Sequence, residues 1–353
     1  MCFSINFERK MLNKPEISVI ITAYNRKKYL KEAISSALNQ TFPRDSYEVI
    51  VIKNFYDDDV DNFIRENNVK SIYSEEEKSG GMLKLGIEQS SGEIICFLDD
   101  DDKFHEDKLR KVHDSFEKYK DLAFYHNNRI VIDENGNVIS KPEPWGEEYI
   151  DKYDKSVYES LIRRKAWSNS SSICIKKGSI NSQKLGQINL SVDLYLLLNV
   201  LINKSPLLLD HTPLTYYRIH GGNTSIGSHE TSVKYVHMQR SLQDVFKIYE
   251  MGKQNKEFNL VFYYNYYLRA KMNYNVIYED RRLEVLRTSL RMLMNPYKSM
   301  KTKVKYVGAA LLNLVFHNYV RNYIIRLNLR YNGEIPLGII DVKDKEVIKR
   351  DNW

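Results

Sequence analysis

The chain has 353 residues, 42% of them hydrophobic and 28% charged, with only 15 Gly and 8 Pro. This is the make-up of a folded protein large enough for one large domain plus a smaller one, and it excludes disordered, collagen-like and low-complexity chains. The net charge of +7 is unevenly spread, −4 over residues 1–230 and +11 over residues 231–353, so the C-terminal third is a basic module whose partners are anionic.

In chain order, the first eleven residues carry Glu8, Arg9 and Lys10 after a mixed stretch, a pattern unlike a signal peptide. From residue 16 the sequence alternates. A strand is expected over 17–22 (ISVIIT), a helix over 27–40, a strand over 47–52 (YEVIVI), a helix over 82–89 and a strand over 93–98 (EIICFL). Apolar strands alternating with helices predict an α/β fold with a parallel sheet covered on both faces, its ligands at the carboxyl ends of the strands. A helix is expected over 103–119. Short strands follow at 123–125, 129–132, 171–175 and 214–218, with a hairpin turn at Glu134-Asn135-Gly136-Asn137 and a helix over 192–201. Past a boundary near residue 230 the pattern turns helical, with helices over 231–250, 258–278 and 281–294.

Three cysteines, Cys2, Cys96 and Cys174, with no CxxC pair, signal neither a disulfide framework nor a structural zinc site. A reducing, cytoplasmic compartment is the expectation. The apolar stretches 194–202 and 306–320 are interrupted by Asn199 and by Asn313, His317 and Asn318, and fall short of the roughly 20 apolar residues of a membrane span.

The strongest local feature is Asp99-Asp100-Asp101-Asp102 directly after the strand EIICFL. Four adjacent carboxylates repel one another unless a cation compensates. Hard divalent ions such as Mn2+ or Mg2+ take carboxylate oxygens and leave positions for substrate phosphates. The same residues also suit a solvated acidic loop or a helix start.

The order Thr22-Ala23-Tyr24-Asn25-Arg26, YEVIVI, Gly80-Gly81 with Lys84, then Ser91-Gly92-Glu93 through Asp102 resembles glycosyltransferase family 2, the inverting nucleotide-sugar transferases of the GT-A fold. The resemblance implies a Rossmann-like, mostly parallel sheet flanked by helices over residues 15–230, followed by a helical C-terminal module at 231–353. Residues 22–26 would line the nucleotide pocket. Asp99 would face the ribose and metal, Asp101 would bind Mn2+ or Mg2+, and Asp100 and Asp102 would support them. Pro213 to Ser225 looks like the Y-R-x-H-x-x-N-x-S segment that closes the family's catalytic domain, which makes His220 a metal or diphosphate ligand and Gly221-Gly222 a phosphate-approaching loop. Asp193, opening an apolar helix, matches the family's acidic base, and also suits a plain helix cap. Trp167 precedes a polar run near the acceptor side, where it would stack on a sugar or pack in the core.

The chain departs from the family in two places. Where most members carry an acid pair that reads the base, it has Lys53-Asn54: either Asp57 to Asp59 supply the carboxylate from a shifted loop, or the Asn54 amide pairs with a different base, or 57–59 simply start a helix. The usual Arg-Asn is replaced by Gly81-Met82-Leu83-Lys84, leaving Lys84 the cation for a phosphate. The reading is a metal-dependent inverting transferase that moves a sugar from a nucleotide-diphosphate sugar onto a glycan, a lipid-linked acceptor or a polyprenyl phosphate. The alternatives are a nucleotidyltransferase and a non-catalytic glycan-binding scaffold. In the tail, cations interleave with Leu283, Leu286, Leu290, Leu293, Val307, Leu311, Leu312, Val315 and Phe316. That pattern fits peripheral contact with an anionic membrane, or an apolar stripe packed on the catalytic domain or on a second subunit of a homodimer. No nucleic-acid module is present.

Overall fold

The computed structural model describes residues 14–144, 146–220 and 231–330, without the side chains of 231–235 and 326–330. Contacts divide the chain into two units, one up to Tyr153 with Arg163–Arg218, the other Asp154–Ile162 with the residues from Ile219 on. The boundary expected near residue 230 thus falls earlier, at the end of the last strand. The helix Lys155–Arg163 lies mostly in the second unit because Tyr158 meets Phe258 edge-on at 5.8 Å and accepts a hydrogen bond from Asn255 Nδ2 at 2.9 Å.

In the first unit, β1 (Ile17–Ala23), β2 (Tyr47–Lys53) and β4 (Ile94–Asp99) are nearly continuous apolar runs, and all are buried. They pair in parallel, with β1 between the other two, as strands covered on both faces do. Helices α1 (Leu30–Leu38), α2 (Asp58–Glu66) and α3 (Ser79–Gln89) connect them. A further strand, β3 (Lys70–Tyr73), adds in parallel to β2 at the edge. Its sequence KSIY is mostly exposed, so no apolar run announces it.

Beyond β4 the sheet becomes mixed. Its order is β3-β2-β1-β4-β9-β6-β10-β5, with β9 (Ile173–Lys176) antiparallel to both β4 and β6 (Phe124–Ile132). The strand β10 (Leu207–Arg218) runs parallel to β6 and is longer than its apolar tail suggests, because Pro213 sits at a register irregularity that hides the continuity. Residues 103 and 104, expected to start a helix, instead form β5 (Lys103–Phe104) against Tyr216 and Thr215 of β10. The helix α4 starts only at Lys108 and runs to Lys118. The expected turn at 134–137 joins β6 to β7 (Val138–Ser140), with Gly136 at φ 89°, a conformation glycine adopts without cost. The strand β8 (Glu147–Ile150) pairs with β10. Following α5 (Lys155–Arg163) and the single turn α6 (Ser182–Leu185), α7 (Val192–Asn203) is apolar nearly all round and buried along most of its length.

The second unit is helical: α8 (Thr231–Gly252), α9 (Lys256–Phe262), α10 (Leu268–Tyr274), α11 (Arg282–Leu293), α12 (Met300–Val315) and α13 (His317–Arg330). Two π-type turns, Tyr263–Tyr267 and Asn275–Glu279, make 256–279 one continuous helical stretch. The first sets Tyr267 at 4.1 Å from Tyr249 of α8, centroid to centroid. Among the described residues no helix is long and apolar enough to cross a membrane.

Candidate active site

The parallel register sets Thr22 of β1 opposite Asp99 of β4, so the two predicted motifs meet where β1 and β4 end. Ala23 is fully buried, which leaves its side chain to the core rather than to a nucleotide, whereas Tyr24 is exposed. Asn25 adopts φ 55°, a left-handed conformation that asparagine tolerates better than most residues. Its backbone N–H donates to Asn54 Oδ1 at 2.7 Å, and Asn54 Nδ2 donates back to Asn25 Oδ1 at 2.9 Å. This reciprocal clamp ties the ends of β1 and β2. It also occupies the Asn54 amide that sequence alone makes a base reader. Past the clamp, Arg26 turns its guanidinium onto the acidic run: Nη2 and Nε donate to Asp100, the latter at 3.1 Å, and Nη1 donates to Asp101 Oδ2 at 2.9 Å.

Oxygens of Asp99, Asp101 and Asp102 lie within 4.8 Å of one another. Asp99 Oδ2 accepts from Ser170 Oγ at 2.7 Å, and the Asp99 N–H donates to Ser171 Oγ at 3.0 Å. Asp102 Oδ1 accepts from the Arg218 N–H at 2.9 Å. Its other oxygen is buried without a hydrogen-bond partner. Arg218, wholly buried at the end of β10, stacks over Tyr29 at 4.3 Å, donates to the Asp101 carbonyl at 2.9 Å and pairs with Glu32 at 2.8 Å. It thereby fixes the backbone that carries the carboxylates. Asp100, expected in a supporting role, is 2% exposed and held by Arg26. Asp102 takes the place beside Asp99 and Asp101 that sequence alone leaves to a supporting role.

Burial pushes the Asp99 carboxyl up to about 6, with the neighbouring Asp101 adding to the shift, and drives Asp102 well above the usual carboxylate range. Burial likewise raises Asp100 to about 8, against the pull of Arg26. The bidentate geometry favours the ionised pair, and Asp100 and Asp101 in turn hold the Arg26 charge in place although burial opposes it. One guanidinium against Asp99, Asp100 and Asp101 leaves excess negative charge once the three are ionised. With an orphaned buried Asp102 oxygen and an all-oxygen donor set, the cluster fits a hard divalent cation.

Asp193 lies in the first turn of α7, its Oδ1 accepting from the Leu194 N–H at 2.8 Å. Burial raises its carboxyl to about 6, the charge of Asp99 adds to this, and a backbone hydrogen bond from Asn169 opposes it. Asp193, Asn169 and Asp99 therefore share one neighbourhood. Asn169, at φ 75°, caps the turn Ser170–Ser172, and its buried Nδ2 has no hydrogen-bond partner. Behind that turn the wholly buried Lys108 Nζ donates to Asn127 Oδ1 at 2.9 Å, to the Ser171 carbonyl at 2.5 Å and to Thr215 Oγ1 at 3.1 Å. Asn169, Ser170, Lys108 and Arg218 are the site residues that sequence reasoning missed. The one signal was the polar run Trp167 to Ser172 ahead of a core strand.

Other predicted residues stand apart. Trp167 is 6% exposed, so its ring packs in the core instead of offering a stacking face. Lys84 pairs with Glu88 one turn on, at 3.7 Å, and none of its contacts among the described residues is with the aspartates. Asp57 caps α2 through the Val60 N–H at 3.0 Å and pairs with Lys27, so the helix-start alternative is the one realised. Lys53 is buried and pairs with Asp61 at 2.8 Å. Nearby, the exposed rings of Tyr56 and Tyr73 stack at 4.7 Å, an aromatic face at the carboxyl ends of β2 and β3 that no motif announced. His220 lies two residues past β10, in the second unit. Gly221-Gly222, the rest of 221–225 and residues 1–11 lie outside the described residues.

A family model described as "Glycosyl transferase family 2" matches residues 18–184. An uncharacterized glycosyltransferase of Rickettsia bellii is 33% identical over 138 residues, 38% of this chain and 20% of the relative. The chain thus spans about a fifth of the length of that protein and of two other rickettsial relatives. Among solved structures, residues 1–349 of S. aureus TarS in complex with UDP-GlcNAc match at TM-score 0.52 and 17% identity, covering 89% of each chain. The mannosyltransferase PcManGT of Pyrobaculum calidifontis, in complex with GDP-Man and Mn2+, matches at TM-score 0.51 and 13% identity, covering 94% of this chain and 92% of that one. At such identities the two structures speak for the fold alone.

Proposed function

We propose, on the match of residues 18–184 to the glycosyl transferase family 2 model, that the chain transfers a sugar from a nucleoside-diphosphate donor to an acceptor hydroxyl with inversion. The observation that carries this reading is the convergence of Asp99, Asp101 and Asp102 at the end of β4, with Asp193 close enough to feel the Asp99 charge. The donor would lie along Thr22, Tyr24 and Asn25. Asp99, Asp101 and Asp102 would hold Mn2+ or Mg2+. A bound divalent cation would neutralise charge growing on the departing diphosphate.

Asp193 is the proposed base. The acceptor oxygen bonds to the anomeric carbon while the bond from that carbon to the diphosphate oxygen breaks. The electron pair leaves with the diphosphate, and the acceptor proton passes to Asp193. A carboxylate base in this position favours a hydroxyl acceptor on a glycan or lipid-linked sugar, since a lipid phosphate is already ionised and needs no base. Arg26 holds Asp100 and Asp101 in place before the donor arrives.

The pH dependence follows from the position of Asp193. With its carboxyl at about 6, kcat/KM is expected to fall about tenfold per unit as pH drops below that value. The Asp193→Asn variant should be slow and flat across the same range, and an unaltered profile in that variant would remove Asp193 from the role. The stability sign runs the other way. A folded pKa raised above the ordinary carboxyl value of 3.8 means the contribution is present below about 3.8 and lost as pH rises through about 6. Asp193→Asn should therefore melt higher than the parent at pH 8.

Thermal melts with UDP, GDP, dTDP and CMP, each with and without Mn2+, test the donor site. A ligand at 100 times its Kd adds about 2.7 kcal/mol, a shift of several degrees. A Mn2+-dependent shift with one diphosphate is expected. No shift with any of them would favour the scaffold reading, which the buried Lys53–Asp61 pair at the family's base-reading position otherwise supports alone.

A further inference from the structure

The strand β9 sets Cys174 directly opposite Cys96 of β4. Both thiols are free and wholly buried. Backbone hydrogen bonds on the two sides of β9 fix the class of this pairing: the Lys177 N–H donates to the Glu93 carbonyl at 2.7 Å, and the Lys176 N–H to the Ala123 carbonyl at 3.0 Å. Opposed residues of antiparallel strands alternate between bonded and non-bonded pairs. Counting from Glu93 and Lys177, Ile95 with Ile175 is a bonded pair, which leaves Cys96 with Cys174 non-bonded. Counting from Ala123 and Lys176 gives the same answer, because Tyr125 with Cys174 is then a bonded pair and the Cys174 backbone faces β6. In a non-bonded pair the Cα atoms stand only about 4.5 Å apart and the side chains lie close. A disulfide spans Cα separations of roughly 4.4–6.8 Å, so this pair can close without moving the backbone. The two thiols are already hydrogen-bonded to each other.

We propose that Cys96 and Cys174 form a reversible oxidation site, closed to a cross-strand disulfide by a small peroxide such as hydrogen peroxide and reopened by thiols. The charge of Lys108 reaches both sulfurs, which separates them from two small apolar side chains packed together. Against burial, the hydrogen bond from Cys96 and the Lys108 charge lower the Cys174 thiol, whereas burial raises Cys96. Cys174 is therefore the nucleophile, since the thiolate is the attacking form. Its sulfur bonds to one peroxide oxygen as the O–O bond breaks, and the departing hydroxide takes up the proton that Cys174 gave. The Cys96 sulfur then bonds to the Cys174 sulfur of the resulting sulfenic acid, the S–O bond breaks, and the Cys96 proton leaves with the hydroxide as a second water. The sulfurs together lose two electrons and the peroxide gains them. Access comes from the end of the strand: β9 has only four residues and follows the polar Ser170–Ser172 turn, so a local opening there admits peroxide with the rest of the sheet intact. The inference stands independently of the transferase reading, since it concerns the thiols alone.

The test uses the full-length chain carrying Cys2→Ala, which leaves Cys96 and Cys174 as its only cysteines. The folded protein is treated with hydrogen peroxide in neutral buffer, freed of peroxide, then unfolded and alkylated, and its mass and protease digest are recorded. Untreated protein should take up two alkyl groups and treated protein none, with one digest fragment joining the Cys96 and Cys174 peptides at the loss of two hydrogens. Dithiothreitol given before alkylation should restore both groups. The parent chain, digested in the same way, should yield the same joined fragment. Two alkyl groups on the treated protein, cysteines oxidised singly without the link, or a link that forms only when peroxide is added in denaturant would overturn the proposal. So would a parent chain in which Cys2 takes the place of either partner.

Discussion

Asp101→Ala is expected to lower kcat/KM by about 10³-fold or more while the protein melts no lower than the parent. Asp101 contributes one of three converging carboxylates, and the loss of one preorganised charge-stabilising group costs about 10²–10³ in rate. Here the loss is compounded, because two oxygens are left to hold any cation. Stability should not suffer. Asp101 is a cause of the raised Asp99 and Asp102 carboxyls, so its removal relieves repulsion in a buried cluster, and Arg26 keeps its paired contact with Asp100. Rates and melting curves of the purified variant decide the matter. Activity within tenfold of the parent would take the carboxylate cluster out of the reaction.

Lys108→Met should cost about 1–3 kcal/mol and lower the melting temperature by several degrees. Lys108 Nζ meets three acceptors, Asn127 Oδ1, the Ser171 carbonyl and Thr215 Oγ1, and only the ammonium form carries three donors. Burial lowers its pKa, opposed by the surrounding acidic groups. A methionine of similar length fills the space but leaves Asn127 Oδ1 unmatched in the interior, while the Ser171 carbonyl still accepts from Thr215 Oγ1 and Thr215 Oγ1 from Asn127 Nδ2. Activity should fall with stability, since Ser171 accepts from the Asp99 N–H and its neighbour Ser170 donates to the Asp99 carboxylate. A Lys108→Met protein that melts within 2 °C or so of the parent would make the network ornamental.

Much of the first unit was legible because its signals are local. The runs ISVIIT, YEVIVI and EIICFL are apolar enough to require burial, and the aspartates follow the last of them directly. The register of β1 on β4, which sets Thr22 against Asp99, follows from two such strands pairing in parallel. What stayed hidden depends on contacts distant in sequence. Lys108 reads as a surface lysine at a helix start until β6, β10 and the Ser170–Ser172 turn enclose it. Arg218 reads as a strand end until its N–H meets Asp102. Residues 103 and 104 pass for a helix start, and only the pairing of Lys103 with Tyr216 makes them a strand. Trp167 was left between sugar face and core, and its burial chose the core.

The Lys53–Asp61 pair bears on how this sequence could have arisen or could be reversed. Restoring the acid most family members carry at the end of β2 by Lys53→Asp would set a carboxylate at a buried position facing Asp61, a like-charge contact in place of an ion pair. The exchange becomes tolerable only if position 61 changes as well. Two positions on separate elements, β2 and α2, are therefore locked to one another, and an acid placed at the end of β2 requires both to change together or passes through a less stable intermediate.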